Sequence, residues 1–181
     1  MPYQLPDFRF CPRCGGPLES KEINGHPRLA CQSCGRVHYV NPAVGVAVIV
    51  RRGDAILWGR RKGGTYAGAW CIPCGYVEWG EDVRTAAVRE FQEETGLIVE
   101  LGPVLAVHSN FHDPERLTVG LWFPGQVVGG TLKPDDDLDR VGFFPLAAPP
   151  SPLAFPTDEK VLEELRGGNA ELIPESKLNL R

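Results

Sequence analysis

The segment from Gly75 to Leu97, GYVEWGEDVRTAAVREFQEETGL, leaves the chain few choices. A glycine-bearing loop must lead into a helix, because Asp82 supplies a first-turn acid and Gly96 stands where a helix C′ residue stands. At 100° per residue, Glu90, Glu93 and Glu94 fall within an arc of about 100° on that helix. Ala86 and Ala87 lie one turn earlier on the same side and are expected to leave open space beside the carboxylates. Phe91, Val88 and Thr95 face roughly the other way and are expected to pack on a sheet.

A solvated acidic face is the usual fate of a charge run, but it fits poorly here. Glu90 and Glu94 are like charges at i,i+4, destabilising by roughly 0.2–0.5 kcal/mol without a cation. The chain has no lysine between Gly63 and Leu101 to neutralise them. Crowded carboxylates of this kind suit Mg²⁺ or Mn²⁺, which take oxygen ligands and keep waters for a substrate.

The spacing is also familiar. Gly75, five residues, Glu81, seven residues, then Arg89-Glu90-Phe91-x-Glu93-Glu94-x-Gly96-Leu97 fills every defined position of the Nudix box. The chain therefore resembles the Nudix hydrolases. The resemblance implies an α/β fold, a Nudix α/β/α sandwich with a mixed sheet. It also implies hydrolysis of a nucleoside diphosphate linked to another moiety. By the same resemblance, Glu90, Glu93 and Glu94 hold the divalent metals and Arg89 orients a glutamate by an ion pair. Gly75 and Glu81 support the loop and helix, and Glu94 or Glu93 serves as the catalytic base. A fourth ligand is expected from the acidic stretch Asp135-Asp136-Asp137, with Asp137 preferred and a plain acidic turn as the alternative.

The six cysteines form three C-x-x-C pairs. Cys11-x-x-Cys14 and Cys31-x-x-Cys34 are sixteen residues apart, the spacing of a zinc ribbon. Four thiolates close a tetrahedral Zn²⁺ site, which makes it structural rather than catalytic. His26 and His38 are not needed as ligands, and His38 is expected to hydrogen-bond at the exit of the ribbon. Cys71-Ile-Pro-Cys74 superficially resembles a redox motif, but that motif belongs at a strand end opening a helix. Here the helix begins only after the loop, so the pair is read as adventitious thiols, with Cys74 in place of a glycine common in Nudix proteins.

Three regions follow: a zinc ribbon over residues 1–40, a Nudix hydrolase domain over 41–168 and a polar tail over 169–181. Within the second, strands are expected over 43–51, 55–60, 97–101, 104–111, 117–128 and 141–144. A second helix is expected from Thr157, as N-cap, to Arg166. The net charge of −4 argues against nonspecific nucleic-acid binding. No apolar run approaches the ~18 residues of a membrane span. A secretory signal is not seen, so a cytoplasmic setting with reduced thiols is expected.

A ribbon ahead of a Nudix domain resembles two groups, the NADH pyrophosphatases and a more compact group of ADP-ribose or FAD pyrophosphatases. The first carries a Ser-Gln-Pro-Trp-Pro-Phe-Pro signature after the box, where this chain has Val107-His-Ser-Asn-Phe-His-Asp-Pro114. The compact group, with Leu153-Ala-Phe-Pro156, is closer. A house-cleaning hydrolase of nucleoside triphosphates is the enzymatic alternative, and a zinc-ribbon module binding RNA or protein the non-enzymatic one. Arg60, Tyr66, Trp70 and Phe111 are candidate substrate contacts. His112 is a further candidate for base stacking, and His108 and His112 for phosphate contact, with plain packing or an ordinary polar role the simpler reading for each and for Trp79. A homodimer is expected by analogy with the family.

Overall fold

The computed structural model describes residues 7–114, 116–168 and 174. The polar tail expected from residue 169 lies outside the described residues, apart from Pro174. The backbone divides into two compact units, Met1–Pro42 and Ala43–Arg181.

The first unit is a three-stranded antiparallel sheet: β1 (Leu18–Ile23), β2 (His26–Cys31) and β3 (Val37–His38), in that order. Asn24 and Gly25, at φ 51° and 75°, make the two-residue turn between β1 and β2. Asn-Gly suits such a hairpin turn because both residues tolerate positive φ.

The second unit opens with β4 (Ala43–Arg52) and β5 (Ala55–Arg61), then β6 (Trp70–Cys71) and β7 (Cys74–Tyr76). Helix α1 (Val83–Thr95) follows, then β8 (Leu97–Leu101), β9 (Ala106–Asn110), β10 (Thr118–Gly130), β11 (Leu138–Pro145) and α2 (Pro156–Arg166). The sheet is mixed. Its main path runs β11-β5-β4-β10-β8, and β10 lies parallel to β4.

Strand alternation divides the core into two layers. Val46, Val48 and Val50 of β4, with Leu57 of β5, pack against Ala86, Ala87 and Phe91 of α1. Ala47 and Ile49, with Ile56 and Trp58, pack against Val161, Leu162 and Leu165 of α2. A continuous apolar strand buried on both faces therefore lies between two helices, an α/β/α sandwich.

Helix α1 begins where the Asp82 carboxylate accepts from the amides of Arg84 (2.9 Å) and Thr85 (3.2 Å). Asp82 is thus the N-cap itself, and Gly96 ends the helix at φ 70°. Ala86 and Ala87 leave no open space. They are fully buried against the sheet, where their small side chains let the helix approach closely. In α2 the N-cap is Phe155, not Thr157, and Pro156 occupies the first helical position. Proline there lacks only an amide that would have had no helical partner. No described helix is long and apolar enough to cross a membrane.

Candidate active site

Two conformational constraints bring Glu90 and Glu94 of α1 to one cleft. The helix axis is set by Phe91 in the core, and β7 passes directly in front of the helix. Gly75 on β7 lies so close to Glu90 that an added Cβ would sit 2.0 Å from its carboxyl carbon. A side chain there would push the Glu90 carboxyl out of its place.

Arg89 organises the carboxylates around it. Its guanidinium donates to Glu81 through two parallel bonds, at 2.9 and 2.8 Å. It also donates to Glu90 at 2.9 Å, to Glu93 at 3.0 Å and to the Tyr76 carbonyl at 3.2 Å. The fork geometry is the one arginine offers and lysine does not. The bond to Arg89 holds the Glu81 carboxyl at about 2, well below its ordinary range.

Glu94 behaves differently. It is 1% exposed and accepts from the Cys74 amide at 2.8 Å. Burial pushes its pKa up to about 8, against the opposing pull of that amide and of Arg61. Burial raises Glu90 as well, and its acidic neighbours Glu93 and Asp136 add to the effect. The loop 133–137 is fastened to the end of α1, with the Lys133 and Asp135 amides bonded to the carbonyls of Thr95 and Glu94. Asp136 and Asp137 thereby join the same cleft, which has a volume of 750 Å³ and is lined by Glu90, Glu94, Tyr66, Phe155 and Asp158 among others.

A cleft with several carboxylates and one buried acid of raised pKa suits a hard divalent cation, whose oxygen donors these are. Glu93 is half exposed and lines a different depression, together with Arg89, Arg84 and Gln92.

Several expected contacts fall elsewhere. Arg60 is bound to Asp139 through two bonds, at 2.8 and 2.9 Å, and does not line the cleft. Trp70, 7% exposed, is a core residue packed edge-on against Phe144. Phe111 is exposed and also outside the cleft lining. Tyr66 does line it, in edge contact with Phe155 and His112. Trp79 is fully exposed. His108 lies 2.9 Å from the Glu164 carboxylate, off the line of a hydrogen bond.

Arg61, Phe155 and Asp158 were not singled out by the sequence reading. Arg60 and Arg61 are successive strand residues, so they leave the sheet on opposite faces. Arg61 reaches the cleft and donates to Asp137 at 2.9 Å. Strand parity could have chosen between the two arginines. Phe155 stands in the stretch Leu153 to Pro156 that carries the resemblance to the compact group, but nothing local gave it or Asp158 a place in the cleft.

In the first unit, the sulfurs of Cys11, Cys14, Cys31 and Cys34 lie within 4.8 Å of one another, the one such cluster of potential metal ligands among the described residues. Cys14 and Cys31 are 3.5 Å apart and Cys11 and Cys34 3.9 Å. A tetrahedron of thiolates around zinc sets sulfurs about 3.8 Å apart, so the donor set fits Zn²⁺. The Cys34 amide, bonded to the Cys31 sulfur, lowers that thiol to about 7. His38 Nε2 lies 3.4 Å from the Cys11 sulfur.

This fold, with its cleft of carboxylates, has the make-up of a phosphoanhydride hydrolase. The chain belongs to the Nudix family: the NUDIX domain model matches residues 41–165, and the Nudix N-terminal zinc-ribbon model matches residues 9–40. It is a pyrophosphohydrolase. An ADP-ribose pyrophosphatase of Methanocaldococcus jannaschii is 38% identical over 132 residues, covering 72% of this chain and 78% of that protein. An NAD-capped RNA hydrolase NudC of Stutzerimonas stutzeri is 32% identical over 130 residues, covering 71% of this chain. The match spans 45% of that NudC's length. The crystal structure of a NUDIX hydrolase from Nitrosomonas europaea superposes with a TM-score of 0.79 at 28% identity, covering 94% of this chain and 97% of that one.

Proposed function

We propose that this chain hydrolyses the diphosphate bridge of ADP-ribose or a flavin-adenine-type dinucleotide, with Mg²⁺ or Mn²⁺. The observation that carries the reading is the meeting of Glu90 and Glu94 with the Tyr66 and Phe155 rings in one cleft. Carboxylates for a metal and an aromatic wall together suit a nucleoside diphosphate.

Glu90, Glu93 and Glu94 are the metal-holding residues in this reading. The bound ions would offset the charge of the diphosphate and make a bound water more acidic. Arg89 holds Glu90 and Glu93 in place through its fork and is itself anchored by Glu81. Glu94 is the better-placed proton acceptor, because it is buried in the cleft and aimed by the Cys74 amide, whereas Glu93 is half exposed and tied to Arg89. Asp137 meets Arg61 through one oxygen, which leaves its second oxygen for service as a fourth ligand. Arg61, in place of Arg60, is the cation positioned to meet a substrate phosphate. The ribbon holds Zn²⁺ structurally, and the protein works in the cytoplasm.

The 38% identity to an ADP-ribose pyrophosphatase favours that substrate class. The NudC likeness supports NAD-type dinucleotides, free or as an RNA cap, as the second reading. A nucleotide panel with Mg²⁺ and Mn²⁺, with products identified by mass, tests both. ADP-ribose should give AMP and ribose phosphate. Nucleoside triphosphates turned over faster than any dinucleotide or nucleotide sugar would overturn the reading.

A further inference from the structure

Two buried polar groups in the cleft have no role in the chemistry above. Asp158, in the first turn of α2, is 2% exposed and accepts a bond from the Ile72 amide at 3.2 Å. Trp122, on β10, is 5% exposed, and its indole N–H has no hydrogen-bond partner. Both residues line the same cavity as Glu94. The indole lies within hydrogen-bonding reach of Asp158 and favours its ionised form, but its N–H is out of line for a well-formed bond to the carboxylate.

A buried donor without a partner destabilises by about 1–3 kcal/mol, and an under-bonded carboxylate by more. A fold that leaves one of each facing one cavity is explained if something entering the cavity satisfies both. The same wall carries flat rings. Phe155, three residues before Asp158, packs at 5.3 Å between centroids against Tyr66, which packs at 5.5 Å against His112. Rings beside an acceptor–donor pair fit a planar heterocycle with polar groups on its edge. The placement relative to the chemistry also fits. The Ile72 amide meets Asp158 while the Cys74 amide meets Glu94, so the two stations lie at either end of one short turn.

We propose that Asp158 and the Trp122 indole read the edge of the substrate's nucleobase, Asp158 accepting from an exocyclic amino group and Trp122 donating to the neighbouring ring nitrogen. Adenine presents such a pair, an amino donor beside a ring-nitrogen acceptor. The proposal rests on the pyrophosphatase reading and deepens it by naming what selects the base.

The test is a coupling between residue and ligand group. At pH 8, kcat/KM is measured for ADP-ribose and for its analogue with unsubstituted purine, in wild type, Asp158→Asn, Asp158→Ala and Trp122→Phe. Asparagine keeps a carbonyl oxygen for the Ile72 amide, which protects the fold. Wild type should prefer ADP-ribose by about 10- to 100-fold. That preference should shrink to within about threefold in both Asp158 variants and fall in part in Trp122→Phe. Equal losses on both substrates would assign Asp158 a structural role and overturn the proposal. A coupling that appears with 2′-deoxy-ADP-ribose instead would assign it to the sugar and overturn it as well. If wild type turns over neither substrate, the pyrophosphatase reading fails separately. Equilibrium binding of AMP against purine riboside monophosphate, in the same variants, then decides the base-reading role by the same coupling.

Discussion

The amide of Cys74 donates to the carboxylate of Glu94 at 2.8 Å, joining the strand before the catalytic loop to the most deeply buried acid of the helix after it. Replacing Glu94 by glutamine keeps the shape and that bond while removing the charge. Metal-dependent hydrolysis should fall by roughly 10³-fold, measured as kcat at saturating Mg²⁺. Retained turnover would remove Glu94 from the mechanism.

The same burial has a consequence for stability. Glu94 titrates at about 8 in the folded protein against an ordinary 4.5, and Asp158 at about 7 against 3.8. Both raised values mean that the unfolded chain ionises first. The stability they permit is fully present below their ordinary values and is lost as pH rises through 7 and 8. Without added Mg²⁺, the urea midpoint should therefore fall between pH 5 and pH 8, and less steeply in Glu94→Gln. Parallel slopes in the two proteins would refute the assignment.

Arg89 bonds Glu81, Glu90 and Glu93 at once, and its bidentate hold on Glu81 is a geometry lysine lacks. Arg89→Lys should lower kcat/KM by about 10²-fold, since loosening the metal ligands by an ångström has that order of effect. The apparent Mg²⁺ requirement should rise in step, which a metal titration of the rate would show.

Gly75 and Gly63 make a matched pair. A Cβ at Gly75 would strike the Glu90 carboxyl, whereas one at Gly63 meets nothing within 4 Å, at a φ of −153° that other residues adopt. Gly75→Ala should reduce turnover by more than tenfold, and Gly63→Ala should leave it within about twofold. Steady-state rates for the two variants are sufficient to check this.

The Cys74 contribution to Glu94 comes from its backbone. Cys74→Ala should thus stay within about threefold of wild type in kcat. A drop comparable to that of Glu94→Gln would show that the thiol itself takes part.

The ribbon sulfurs are spaced for one zinc ion. Elemental analysis of purified protein should return about one zinc per chain, falling towards zero in Cys14→Ser/Cys31→Ser. Because the site's affinity is part of the folding free energy of so small a unit, chelation should also strip hydrogen-exchange protection from β1–β3.

Much of the fold was legible because its signals are local. The Val- and Ile-rich run of β4, the Asn24-Gly25 turn, Asp82 ahead of α1 and Gly96 behind it act within a few residues of themselves. The same holds for the cysteine spacing. The structure departs from local pattern in two physical ways. Ala86 and Ala87 bring the helix close to the sheet and flank no open space, since a small residue on a helix serves either purpose. Thr157 has the chemistry of a cap, but Pro156 sets where the helix begins.

From the residues alone came the carboxylate helix and the thiolate set for zinc, because each is written at a spacing that one helix or one pair of knuckles converts directly into proximity, while the supporting parts of Glu81 and Arg89 came from the resemblance to the Nudix box. Tertiary structure decided what lies opposite them. It turned Arg61 rather than Arg60 into the cleft, buried Trp70, and carried Phe155 and Asp158 from the end of the chain to face Glu94. Those placements depend on strand parity, on the parallel pairing of β4 with β10, and on how α2 docks across the sheet. They follow from packing between segments distant in sequence, which no local pattern records.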